Sequence, residues 1–136
     1  MADAPVPTLI AMLLCDTVIQ DVQTTKKSLI GIFTRLNAIR FPTSVNVTMF
    51  ARLTDAEGKY RFRLDVVNLT ENKTILSLPT PTELQASDQL AIVELVMQVQ
   101  GLPVPSQGKY EFQLWGNDAY LGRTTMEAVV LKQQRQ

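Results

Sequence analysis

The side chains best suited to chemistry lie near the amino terminus: Asp16, Asp21, Lys26 and Lys27, with Cys15 directly before the first. Asp16 interrupts an otherwise apolar run over residues 9–19, and a carboxylate in that setting has to be solvated, paired or hydrogen-bonded. One reading gathers Asp16, Asp21 and a lysine into a polar cluster at one end of the fold, where it binds a ligand or performs carboxylate chemistry. The other makes Asp16 a strand-end residue that caps loop amides or pairs with a lysine, the commoner fate of such a group. The structural use is the expectation. Cys15 has no histidine to activate it, and an apolar strand keeps a thiol protonated and inert, so it reads as a small core residue.

Composition narrows the chemistry further. The chain has 136 residues, 13 basic and 13 acidic, with one cysteine and no histidine. Without histidine there is no imidazole base, no imidazole metal ligand and no His-dependent triad. Calcium takes about six to eight oxygens, and beyond Asp16 and Asp21 the loops offer only Asp55 with Glu57 and Asn117 with Asp118. Glycosidase chemistry needs two acids, yet nothing in the sequence singles out a pair. No glycine-rich phosphate loop follows a strand. No catalytic residue, cofactor or metal ligand is therefore assigned. Balanced charge argues against nucleic acid as a partner, and no run approaches the about 18 apolar residues of a membrane helix. The single cysteine, and the lack of any basic residue before Lys26, favour a reducing cytoplasm over export. The glycosylation triplets at Asn46, Asn68 and Asn72 are then chance occurrences.

The elements that would position these groups are strands, because period-two alternation dominates the chain. In residues 44–54, Val45, Val47, Met49, Ala51 and Leu53 share one face while Asn46, Thr48 and Arg52 share the other. After a turn at 55–58, residues 59–67 place Tyr60, Phe62, Leu64 and Val66 inward, and the pair is expected to form a hairpin. Residues 91–99 and 109–116 alternate likewise. The prolines at 103 and 105 mark 101–108 as a connection. Asn117-Asp118 reads as a turn into a last strand, 119–131, bulged near Gly122. Residues 9–19 and 28–36 are apolar on both faces, as in a doubly covered strand or one that meets another chain. Gly31, within the second of these, marks a bulge or a close backbone approach. The stretch 69–88 holds one strand near 75–78, with room for a helical turn at 82–86. Loose tails over 1–8 and 132–136 frame an ordered core of 9–131 within a single domain. The sum is an all-β, two-sheet antiparallel sandwich, immunoglobulin-like or C2-like, of about eight strands.

Gly-Lys-Tyr-x-Phe-x-Leu occurs at 58–64 and again at 108–114. We read the echo as two hairpins that solve one packing problem alike, and Tyr110 as the tyrosine of a corner. Phe50, Ile92, Val96 and Trp115 fall on outward positions where a monomer should be polar. They form a candidate interface unless the 69–88 segment or a second sheet covers them.

The block Cys15-Asp16-x-Val18, Asp21, Lys26 and Lys27, Ser28-Leu29-Ile30-Gly31-Ile32-Phe33 and Phe41-Pro42 resembles a family of short bacterial proteins classed as a domain of unknown function. Gly58-Lys59-Tyr60, Gly108-Lys109-Tyr110 and Leu121-Gly122 fit the same resemblance, which spans about residues 9–131. It implies a cytosolic bacterial setting and a β-rich domain, and it carries no activity. The expected function is a non-catalytic interaction or assembly module whose partner is a protein or a second copy. A ligand-binding or carboxylate-based enzyme site around Asp16, Asp21 and Lys27 is the alternative.

Overall fold

The computed structural model describes residues 4–81 and 83–131. They form β1 (Thr8–Cys15), β2 (Thr17–Gln20), β3 (Lys27–Ile30), β4 (Arg35–Ala38), β5 (Thr43–Thr54), β6 (Gly58–Tyr60), β7 (Phe62–Asn68), β8 (Lys73–Pro79), β9 (Leu84–Ala86), β10 (Val93–Val104), β11 (Gly108–Gly116) and β12 (Ala119–Val130). No helix occurs among the described residues. A three-stranded sheet is ordered β1-β5-β10 and a five-stranded sheet β4-β12-β11-β7-β8, with two-stranded sheets β2-β3 and β6-β9 beside them. Neighbours are antiparallel except β4, which runs parallel to β12. The fold is all-β, but the expected count of about eight falls short of the twelve strands found. The excess lies in β2, β3, β4, β6 and β9, each of three or four residues, too short for alternation to register.

Parity builds the core. Val47, Met49, Ala51 and Leu53 of β5 turn to the same side as Met12 and Leu14 of β1 and Leu95, Met97 and Val99 of β10. They join one apolar cluster with Phe62, Leu64 and Val66 of β7, Tyr110, Phe112 and Leu114 of β11, and Met126 and Ala128 of β12. Leu53, Leu64, Phe112 and Met126 are wholly excluded from solvent. Truncating a buried aromatic of this kind to alanine typically costs about 3–5 kcal/mol, so this cluster dominates the stability.

The expected hairpin between β5 and the strand after it does not form. β5 pairs with β1 and β10, whereas β7 pairs with β11 and β8. Residues 55–61, which include β6, instead carry the chain from the three-stranded sheet to the five-stranded one, and 105–107 do the same between β10 and β11. Both crossings are held by a tyrosine. The Tyr60 hydroxyl accepts the Glu57 N–H at 2.9 Å and donates to the Pro5 carbonyl at 2.7 Å. The Tyr110 hydroxyl donates to the Ser106 carbonyl at 2.6 Å and accepts the Ser106 N–H at 3.3 Å. The repeated motif is thus a repeated corner. Thr48 pairs with Gln98 and Leu64 with Leu114, each pair fifty positions apart, so the two segments that carry the motif run antiparallel beside each other in both large sheets.

Other departures have local causes. β10 runs on through Pro103, because it ends its sheet and one side of its ladder needs no N–H donor. A bulge there lets Gly101, at φ +64, donate its N–H to Asn46 Oδ1 at 2.8 Å. The helical turn expected at 82–86 is the strand β9, paired with β6, and Thr82 lies outside the described residues. The run 9–19 breaks at Asp16 into β1 and β2. Of the expected tails, residues 1–3 and 132–136 lie outside the described residues, while Pro7 is buried and Thr8 opens β1. The turn at Asn117-Asp118 appears as foreseen, both residues at positive φ as a two-residue hairpin turn requires. The bulge beside Gly122 is also present.

Each corner hydroxyl closes two backbone groups. Tyr60→Phe and Tyr110→Phe should each lower unfolding free energy by about 1–2 kcal/mol, read by urea denaturation, with the slope m unchanged.

Candidate functional site

The outer face of the three-stranded sheet is built from the residues opposite in parity to the core. Register aligns three rows across it: Ala11, Arg52 and Glu94; Leu13, Phe50 and Val96; Cys15, Thr48 and Gln98. The middle row is apolar from edge to edge. Phe50, at its centre, is only 6% exposed although it points away from the core, whereas Leu13 and Val96 stay near 40% exposed. Ile10, the extra residue of a bulge in β1, and Ile92 just ahead of β10 are exposed as well.

The β2-β3 hairpin closes over this face. Asp16 bends the chain away from β1 and its carbonyl accepts the Thr48 hydroxyl at 3.2 Å. Val18 and Leu29 pair across the hairpin and are half-buried, while Ile19 and Ile30 face solvent. Lys27 Nζ reaches Glu94 at 2.8 Å, and Arg52 approaches the other oxygen of that carboxylate at 3.4 Å. A partly exposed ion pair contributes about 0.2–1 kcal/mol, against about 1.5–3 kcal/mol for burying a phenylalanine side chain. Covering Phe50 is therefore the larger force holding the hairpin down, and the ion pair fixes where it lands. The sequence reading named the 69–88 segment or a second sheet as the cover; the hairpin takes that place.

The proposed polar cluster is pulled apart. Asp16 and Asp21 flank β2, about 16 Å apart at a strand's rise per residue. Asp16 is exposed, and its N–H donates to the carbonyls of Ile30 and Gly31. Its carboxylate lies over Gly31, at φ +72, the close approach that glycine signalled. Asp21 caps the hairpin tip by accepting the N–H groups of Thr24 and Gln23, both at 2.8 Å. These bonds hold its carboxyl below the ordinary aspartate range. Lys26 is exposed at the same tip, and Lys27 is committed to Glu94. Glu94 escaped notice in the sequence, since an ion pair between residues 67 apart leaves no local signal. Cys15 is buried, and burial together with the neighbouring Asp16 charge pushes its thiol up, consistent with a core role.

Trp115 sits on a different surface, the outer face of the five-stranded sheet. Register sets it between Tyr120 and Arg63. The Tyr120 ring meets it edge-on at 5.3 Å, and the Arg63 guanidinium lies 4.9 Å above its centre, itself bonded to Asp65 at 3.0 Å. Its buried indole N–H finds no partner among the described residues. The four outward apolar residues are therefore not one patch: Phe50 is covered, Ile92 and Val96 share one face, and Trp115 belongs to another.

An open cleft of about 970 Å³ is lined by Pro5, Glu57, Lys59, Tyr60, Gln89 and Asn117, among others. Tyr60 and Asn117 spend their polar atoms there on backbone groups. Among the described residues, no three His, Cys, Asp or Glu side chains gather closely enough to hold a metal ion. No helix among them is long and apolar enough to cross a membrane. The model of a family of unknown function, DUF6941, matches residues 10–129, a span that begins inside β1 and ends inside β12. The chain belongs to that family. The DUF6941 match takes in both corners, the β2-β3 hairpin and the apolar row, so these belong to the family domain of this chain. No curated protein matches the chain.

Gly31→Ala should cost about 1–2 kcal/mol, because a Cβ is strained at positive φ. The exposed Asp16 side chain can swing aside, so an Asp16→Ala background should relieve little of that loss in a double-mutant cycle by chemical denaturation. For Asp21, a folded pKa below the unfolded value means that the cap stabilises above the unfolded range and is lost as pH falls through the lower folded value. The Gln23 and Thr24 amide shifts should then titrate with a midpoint below 3.8, the ordinary value.

Proposed function

We propose that this chain is a non-catalytic interaction or assembly module, working in a reducing bacterial cytoplasm and docking a polypeptide on the outer face of its three-stranded sheet. We further infer that the two larger sheets make an immunoglobulin-like or C2-like sandwich. A common core drawn from both sheets and the corner geometry of Tyr60 and Tyr110 support that reading.

The observation that carries the docking proposal is the Leu13–Phe50–Val96 row. Its two ends remain 39% and 40% exposed, with Ile10 at 50% and Ile92 at 44% on either flank. Isolated surface aliphatics are ordinary, but neighbouring ones on a single strand face fit a contact surface. The charged residues of that face, Arg52, Glu94 and Lys27, are spent on one another, which leaves the exposed Leu13, Val96, Ile10 and Ile92 side chains as the feature available to a partner. The separation of Asp16, Asp21 and Lys27 weakens the rival reading of a carboxylate site.

A photo-crosslinking amino acid placed in living cells at Ile10, Leu13 or Ile92 should give adducts of defined mass. Thr125, exposed on the opposite face, should give none. Equal labelling at Thr125, or none at the three apolar positions, would remove the docking proposal. Leu13→Glu should abolish the adducts at Ile10 and Ile92 while shifting the melting temperature by only a few degrees.

A further inference from the structure

We propose that a second copy of the chain pairs with the free edge of this sheet, β10 antiparallel to β10 about a two-fold axis at Val96. The proposal goes beyond the docking assignment, since edge pairing leaves Ile10 and Leu13 on the far strand uncovered.

Exposed strand ends of sheets are normally blunted by lysine, proline, bulges or shortness. The larger sheets end in four strands. β4 has four residues and carries Arg35. β8 carries Lys73 and Pro79. β1 is bulged at Ile10, and Leu9 packs against Gly122 of β12. β10 differs in its first half: from Val93 to Val99 it has no lysine, proline, glycine or bulge, and such devices begin only with Gly101 and Pro103. No described strand pairs with its outer side.

What identifies a second copy is the order of residues on that edge. Val93-Glu94-Leu95-Val96-Met97-Gln98-Val99 reads nearly the same in both directions. Antiparallel pairing about Val96 sets Val93 against Val99, Glu94 against Gln98, Leu95 against Met97 and Val96 against itself. Like sizes meet, and each glutamate faces a neutral glutamine of equal length instead of another carboxylate. An isologous contact of this kind closes on itself and leaves no further edge to propagate. The two copies then form a six-stranded sheet in which Val96 meets Val96 at the centre, each Phe50 lies under its own hairpin and each Leu13 sits at a far margin.

The test places one cysteine at each end of the row. Directly opposed residues of antiparallel strands lie about 4.5–5.5 Å apart, within reach of a disulfide. Val96→Cys should form a linked dimer on mild oxidation, while Leu13→Cys, equally exposed on the same face, should not. The wild type, whose own Cys15 is buried, is the background. Wild type should sediment as a dimer at about 100 µM, above the Kd of a weak pairing. Val96→Lys and Val96→Glu should each be monomeric with melting curves close to wild type, and a mixture of the two should recover the dimer, since position 96 faces itself. A monomeric wild type at that concentration, cross-linking of Leu13→Cys as fast as Val96→Cys, or failure of the charge-swapped mixture to dimerise would overturn self-pairing. Adducts to a different polypeptide at Ile10 and Ile92 would in that case leave the docking assignment standing, and their absence would remove both.

Discussion

Two tyrosine hydroxyls hold the points at which the chain leaves one large sheet for the other, and the shared core depends on those crossings. A strand turning out of its sheet exposes backbone groups that no ladder satisfies, and a buried unpaired amide costs more than a formed hydrogen bond gains. Tyr60 and Tyr110 answer this with side chains that bury a ring in the core and present one hydroxyl to the corner backbone. Because the corners lie at the same offset in two neighbouring segments, β5 pairs with β10 in one sheet and β7 with β11 in the other. These two pairings, between segments about fifty positions apart, are flanked by one local device used twice.

The second problem is set by β5, which is apolar on both faces at Met49 and Phe50. Met49 goes to the core and is fully buried; Phe50 cannot. A separate hairpin must come down on the outer face, and Lys27 with Glu94 decides its position. The hairpin is only four residues a side and covers the middle of the sheet, so Leu13 and Val96 are left at its margins. The same arrangement spreads the acidic and basic side chains of the amino-terminal block along the hairpin. Asp16 serves the bend, Asp21 the tip, and Lys27 the anchor, each at a different place on the hairpin.

Much of this was legible locally. The alternation in β5, β7, β11 and the first half of β10 placed much of the core, Tyr110 was recognisable as a corner tyrosine, and Gly31 as a close approach. The burial of Cys15 also followed from its neighbours. Missed were the short strands, whose three or four residues carry no period, and the crossing at 55–61, whose turn residues suit a hairpin equally well. Pro103 misled because its tolerance depends on β10 ending a sheet, a property of the neighbours and not of the proline.

The sequence by itself determined which side of each strand is greasy, because a side chain's face follows from odd or even position along an extended backbone. Only the tertiary structure decided which strands lie together, what covers Phe50, and that no described strand pairs with the outer side of Val93–Val99 in β10. Those outcomes rest on contacts between residues tens of positions apart, such as Lys27 with Glu94, and no window of neighbouring residues contains them.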